Sequence, residues 1–403
     1  MKTWFSYLCL LFSLQLQQAN AHEEHTKPQK NSLAISVVFD STGQLWRASV
    51  KDGFVLVDKS TDMGKHFSKP VAVNREAHKI GADGEARPKI AISNQGAVYV
   101  TWSQMLGKPF SAYVWFARSL DGGKTFEQPK IVHQDRDEIT HRFDALQVSP
   151  SGLITVLWVD KRDLDSAKAV GKLYDGAAIY YAVSEDLGKT FAKEKKLADS
   201  SCECCRIVTT TKPDSTGFNN TVVAMWRHVF EGSERDHMIA EVPAKDAKPN
   251  LQRATFGHWQ IDGCPHHGAA LATGGEGKNW WGYHMAYYDG NDKKPGLYYS
   301  RMDGVAWASS VPQKFGNNKL QAGHPALLSQ GEEVWLTWRE IEGKRNMIYG
   351  MASDDGGRSW QDAKLLASTP DKADYPHLLS HNGQVYLIWN TAHDGLTVTH
   401  LEI

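Results

Sequence analysis

The chain has 403 residues, 41% of them hydrophobic and 23% charged, with a formal net charge of -1. That length admits two average domains or one large repeat fold. The balanced charge, with Lys and Arg scattered along the chain, gives no electrostatic footprint for nucleic acid or for an acidic membrane surface.

The first stretch, MKTWFSYLCLLFSLQLQQANAHEEH, reads as a secretory leader. Lys2 supplies the positive start, Trp4 to Leu16 an apolar core too short to span a bilayer, and Ala19-Asn20-Ala21 the small-x-small cleavage pattern. Residues 1–21 are therefore expected to be removed. Residues 22–403 are expected to form one exported domain, periplasmic or extracellular, in a compartment that permits disulfides. No other segment approaches a membrane span, and no linker or composition shift divides the rest.

An octapeptide then recurs along the chain: STDMGKHF at Ser60, SLDGGKTF at Ser119, SEDLGKTF at Ser184 and SDDGGRSW at Ser353. A degenerate copy, SRMDGVAW, starts at Ser300, and a further eroded one is expected near Met238. The five starts are separated by 59, 65, 116 and 53 residues, the third interval being about twice the others. Physically the octapeptide is a tight turn. Asp at its third position can bond forward to backbone N–H groups, Gly at its fifth supplies positive φ, and the closing aromatic can tuck beneath.

Before each turn comes an alternating β-branched and aromatic run, such as AYVWFAR or AIYYAV, which reads as a strand. Further upstream lies a strand pair ending in Trp, as in PKIAISNQGAVYVTW to Trp102 and FDALQVSPSGLITVLW to Trp158. Seven such pairs begin near Ile35, Arg87, Arg142, Arg206, His266, His324 and His377. The predicted architecture is all-β: a β-propeller of four-stranded antiparallel blades, seven rather than six, each of about 55 residues. The last unit shows only three strands, so residues ahead of Ile35 are candidates to close the ring. Trp102, Trp158, Trp226, Trp338 and Trp389 recur in register and are expected to be packing residues.

The octapeptide is similar to the Asp-box of the sialidase superfamily, which is built as a propeller. The resemblance implies that the boxes lie between third and fourth strands, away from the binding face, so Asp62, Asp121, Asp186 and Asp355 are structural. It also implies a candidate catalytic set. Arg87-Pro88 is similar to the Arg–Pro stretch of the family's first inner strand, and Tyr375-Pro376-His377-Leu378 resembles the stretch carrying its nucleophilic Tyr. In that family a Tyr attacks because an anionic sugar repels a carboxylate, and three Arg hold the substrate carboxylate. Arg142 and Arg206 open two other inner strands and would join Arg87. The loop WSQMLGKPF, where the family carries its acid/base Asp, holds no carboxylate. Asp160, one blade later, is the stand-in, and Glu340 would support Tyr375.

The cysteines give a second chemistry. Cys202, Cys204 and Cys205 lie in SCECCR, just before the fourth inner strand, and Cys264 lies in DGCPHHG at the matching point one blade later. His266 and His267 follow directly, while His324 and His377 hold the equivalent points of the next two blades. Because a propeller gathers its inner-strand starts around the axis, one mouth would hold thiols, imidazoles and guanidiniums together. Thiolate with imidazole suits copper or zinc, although the spacings match no zinc-finger pattern. Disulfide pairing and a redox-active dithiol are the alternatives, the first favoured by an even cysteine count in an exported chain.

The sequence thus points first to an exported sialidase-like propeller that binds copper or zinc at its mouth. An exo-glycosidase using Tyr375 with the Arg cluster is one alternative. A non-enzymatic binding propeller with disulfide-paired cysteines and no metal is the other. The expected partner is a small molecule, a glycan or a metal, and whether the chain is an enzyme stays open.

Overall fold

A computed structural model describes residues 32–214, 221–243, 247–263 and 265–402. The leader and Cys264 lie outside these. Seven antiparallel sheets follow one another along the chain, six of four strands and the last of three. They form blades 1 to 7 over residues 36–72, 89–131, 141–201, 208–253, 270–315, 323–369 and 377–401. Their inner strands are Ser36–Phe39, Lys89–Ile92, His141–Val148, Val208–Lys212, Ala270–Gly274, Gly323–Gln330 and His377–His381. Each of these packs against the inner strands on either side, and the first meets the last, so the ring closes. No helix among the described residues is long and apolar enough to cross a membrane.

The recurring Trp residues are the packing residues of the blades. Trp102, Trp158, Trp226, Trp338 and Trp389 are all at most 2% exposed. Three of them stack on the aromatic directly opposite in the next strand: Trp102 on Trp115, Trp158 on Tyr180 and Trp338 on Tyr349. Such cross-strand aromatic pairs stabilise a sheet by about 0.2–1 kcal/mol each relative to alanine pairs.

The boxes lie where third strands end, at the opposite end of the ring from the inner-strand starts. In the third blade the Asp186 carboxylate accepts from Ser184 Oγ at 2.8 Å, Thr190 N at 2.8 Å and Thr190 Oγ1 at 2.6 Å. The Thr190 bonds, side-chain first, hold this carboxyl well below the usual carboxylate range. Asp62, Asp121 and Asp355 repeat the arrangement. Met238 lies inside the third strand of blade 4, His237–Glu241, and part of the turn that follows falls outside the described residues.

In blades 2, 3 and 6 a box glycine also seats the blade on the one before it. Gly188 has φ +79°, and a Cβ there would lie 2.5 Å from Phe116 of blade 2. The box aromatic Phe191 meets the same Phe116 edge-on at 4.9 Å. Gly188→Ala is therefore expected to lower stability by about 2–4 kcal/mol, through left-handed strain and overpacking together. A fall in the denaturant midpoint with an unchanged slope measures this, and an unaltered midpoint refutes the seating.

Blade 7 keeps three strands, and residues 32–35 form no strand beside it. They are tied to it by single bonds instead: Asn390 Nδ2 donates to Leu33 O at 2.8 Å, and Ile35 N donates to Asp374 at 3.1 Å.

Candidate functional site

Antiparallel pairing brings the start of each inner strand beside the end of the second strand, so both reach the same mouth. Three non-glycine residues there hold left-handed backbone: Phe143 at φ 55°, His266 at 50° and His324 at 53°. Such strain persists only where surrounding contacts over-determine it, and it gathers at functional sites.

Arg87 is committed to closing the ring. Its guanidinium makes a bidentate pair with Asp374 at 2.7 and 2.7 Å and donates to Ile35 O at 2.7 Å. Burial raises the Asp374 pKa, but the Arg87 charge and the His377 bond outweigh it and hold it down at about 2. Arg206 donates to the carbonyls of Ala269 and Pro325, and its charge lies beside buried Glu85. Glu85 accepts from His324 Nδ1 at 3.2 Å and from the backbone N–H groups of Arg206 and Gly268, each at 3.3 Å. Burial pushes Glu85 up, yet Arg206 and His324 keep it below the carboxylate range.

Tyr375 lies face to face with His324, ring centres 3.6 Å apart, and is flanked by the Arg339 and Arg87 guanidiniums at 5.0 and 5.6 Å. Gly84 makes room for it, since a Cβ there would fall 2.3 Å from the phenol oxygen. Burial, then the Glu85 charge, push the phenol far up, so it stays protonated. His324 stacks in turn near His267, and His267 on Tyr288 at 4.0 Å. Burial lowers the two imidazoles to about 4 and about 3, so both are neutral at physiological pH.

Asp160 and Glu340 serve their own blades. Each accepts from the indole N–H two residues earlier, Trp158 and Trp338, at 2.8 Å. Asp160 also holds His141 Nδ1 at 2.9 Å and Arg162, while Glu340 accepts from Asn317 N at 2.7 Å. Around the axis lies a cavity of about 310 Å³, lined by Glu85, Arg87, Lys89, Arg206, Tyr375 and His377 above an apolar channel wall. Burial, with Arg87 and Arg206 adding repulsion against the opposing Asp144 charge, lowers the Lys89 pKa to about 8.

The thiols form a separate group. Cys202 Sγ lies 3.6 Å from Cys204 Sγ and 3.9 Å from Cys205 Sγ, and all three sulfurs fall within 4.8 Å of one another. All three residues are buried, packed with Ala86, Phe143, Ile207 and Trp226. No disulfide joins these three. Contacts with Cys204 and then Cys205 hold the Cys202 thiol below its ordinary pKa. The structure brings neither His266 nor His267 into this group, nor His324 or His377; His377 contacts Arg87 and Asp374 instead.

Glu85, Lys89, Arg227, Arg339 and Asp374 complete the mouth without having been picked out from the sequence. The repeated Trp-Arg pair at Trp226-Arg227 and Trp338-Arg339 was the readable sign for two of them. Asp374, adjacent to Tyr375, had no such sign.

Ring and boxes together define a sialidase-like β-propeller. Among solved structures the chain is similar to a polysaccharide lyase, PL25 ulvan lyase, bound to -[GlcA(1-4)Rha3S]-. That likeness has 11% identity and a TM-score of 0.56, covering 94% of this chain and 95% of that one. An α-L-arabinanase of Penicillium chrysogenum complexed with arabinobiose also aligns, at 14% identity and TM-score 0.48, over 77% of this chain and 89% of that one. The NanB sialidase of Streptococcus pneumoniae aligns at 9% identity and TM-score 0.45, over 79% and 66%. No family profile and no curated protein matches the chain. At 11% identity the likeness to the lyase is one of fold.

Proposed function

We propose that this propeller binds a soft transition metal, copper or zinc, through Cys202, Cys204 and Cys205. One observation carries the reading: the sulfur separations of 3.6 and 3.9 Å. A metal about 2.3 Å from each sulfur sets sulfur–sulfur distances of about 3.8 Å in a tetrahedral shell and about 4.0 Å in a trigonal one. The thiols therefore stand near the spacing a shared ion requires. In this reading the leader exports the chain, and the metal is met outside the cytoplasm. Elemental analysis and a thiol count on protein from its native compartment test it. Close to one copper or zinc per chain supports the reading. Fully disulfide-paired cysteines without stoichiometric metal overturn it.

The mouth cavity favours a second reading, an anionic sugar held by Lys89. Lys89 lines the cavity with Arg87 and Arg206, and its ammonium, which feels the Asp144 carboxylate as well as those two guanidiniums, would pair with an incoming carboxylate or sulfate. The fold shared with a polysaccharide lyase lends support. Tyr375 is a poor nucleophile in this setting, because its phenol is held protonated. Uronic acid oligosaccharides are expected to bind the wild type and to bind Lys89→Met at least about tenfold more weakly, the loss of one charge-assisted bond. Calorimetry reads this, and equal affinities would dismiss the cavity as the binding place.

A further inference from the structure

The degenerate box of blade 5 releases a side chain that the regular boxes tie down. In the four regular boxes the opening Ser donates to the box Asp at 2.7–2.8 Å and accepts from the box Gly N–H at 2.8–2.9 Å. In SRMDGVAW the Asp stands one place later, and Asp303 accepts from Val305 N and Ala306 N instead, at 2.9 and 2.6 Å. Ser300 is 1% exposed, and its Oγ makes no hydrogen bond of sound geometry; its polar neighbour is the Tyr287 hydroxyl. A buried hydroxyl left in this way is costly unless something comes to meet it.

Ser300 lines a cavity of about 570 Å³ in the joint between blades 4 and 5, the volume of a small-molecule site. Tyr287 and Asp289 of the second strand and Tyr298 and Ser300 of the third share its wall, because strand alternation puts all four on the face turned to blade 4. Asp289 pairs with Gly296, four residues from Ser300, so the groove runs about 13 Å along the blade. Thr255, Phe256 and Gly257, which follow the outer strand of blade 4 at Asn250–Arg253, form the opposite wall.

Asp289 is buried at one end of this groove. Asn291 donates to its two oxygens from N and Nδ2, each at 3.0 Å, which leaves lone pairs on both. Burial outweighs these bonds and raises its pKa, with the Asp236 charge adding to the rise and Arg227 opposing it. The opposite wall must be glycine there, since a Cβ on Gly257 would fall 1.7 Å from Asp289 Oδ2. Half-buried Tyr298 and exposed Phe256 add aromatic faces, and exposed Lys293 and Lys294 stand at the solvent side.

The floor thus offers a carboxylate acceptor at one end, two hydroxyls at the other and aromatic surface beside them. Sugar hydroxyls can donate to Asp289 and exchange bonds with Ser300 and Tyr287, while the C–H faces of the rings pack on Tyr298 and Phe256. A uronate or sulfate on this floor would face the Asp289 charge, so the sugars that fit are neutral. We propose that the joint between blades 4 and 5 is a second ligand site, separate from the mouth, for a short neutral oligosaccharide.

Arabinobiose, cellobiose and maltotriose serve as probes of the full chain, with saturation-transfer NMR reporting contact and titration giving affinity. At least one is expected to bind with a dissociation constant of about 1 mM or below. Asp289→Asn, which keeps the shape, is expected to weaken it about tenfold or more, and Ser300→Ala about two- to tenfold. Tyr298→Ala is expected to lose about tenfold through the missing ring contact. Should Asp289→Asn or Tyr298→Ala fail to melt cooperatively, Ser300→Ala, which only trims a hydroxyl, carries the test. Lys89→Met at the mouth is expected to leave these affinities unchanged. Binding by none of the three sugars overturns the proposal, as does binding that survives the joint substitutions or is lost in Lys89→Met.

Discussion

Cys202→Ser is expected to abolish stoichiometric metal binding while the propeller stays folded. Cys202 Sγ lies 3.6 and 3.9 Å from the other two sulfurs, so its loss leaves two thiols of the three. Thiolate sites bind with about 10 kcal/mol or more, so one ligand in three carries roughly 3 kcal/mol, a loss of about 150-fold or greater. Folding depends on other contacts. The backbone N–H of Cys202 donates to Arg227 O at 2.8 Å, a bond that serine keeps. Serine also nearly matches cysteine in size. Chelator competition and thermal melts on the same samples separate the two quantities. Metal retained at full stoichiometry, or a chain that no longer folds, would each count against a dedicated site.

Asp374→Asn should produce the largest loss of stability of any single change at the mouth. The carboxylate joins blade 7 to Arg87 at the entry to blade 2 and to the backbone of Ile35 at the entry to blade 1. Removing one member of a buried ion pair costs about 3–5 kcal/mol, because the other charge is left without a partner. The same pair sets an acid limit. Its pKa falls from an ordinary value of 3.8 to about 2 in the folded chain. A depressed carboxylate contributes stability that is whole above its unfolded pKa and fades as pH drops through the folded one. About 2 kcal/mol should therefore disappear between pH 4 and pH 2 in the wild type, and the Asn variant should lack that component. Melting curves across this window decide it, and parallel acid profiles for the two proteins would refute the assignment.

The ring was legible because its repeats are local. The octapeptides fix where third strands end, and the Trp spacing fixes where second strands end. Ring closure was not legible, since Arg87 and Asp374 lie 287 residues apart and belong to no repeat. The candidate site divides in the same way. A Cys-x-Cys-Cys spacing is local, so the gathering of three thiols could be read directly. Strand register placed His267 and the thiols at one mouth, but it does not decide which way a side chain turns. His267 turns into a stack with Tyr288 and His324, whereas the thiols turn into the packing between blades 3 and 4. Asp160 reads in the sequence as the stand-in acid and Glu340 as a support for Tyr375, whereas each accepts from the Trp two residues earlier, a pairing set by the strand pleat.

The seating of box on blade also has a direction, and it bears on how the chain is made. Blades 2, 3 and 6 set their boxes against blades 1, 2 and 5, which leave the ribosome earlier. Blade 1 must wait, because Gly64 fits against Leu396 and Val398 of the final strand, where Met63 and Phe67 also pack. The first turn to be synthesised is thus the last to find its neighbour. Until residues 395–401 emerge, the nascent ring stands open along one apolar seam, the kind of surface that chaperones cover. A message cut short by even that one strand would leave the blade 1 box without its seat, and the last joint held by the inner strands and the Arg87–Asp374 pair alone.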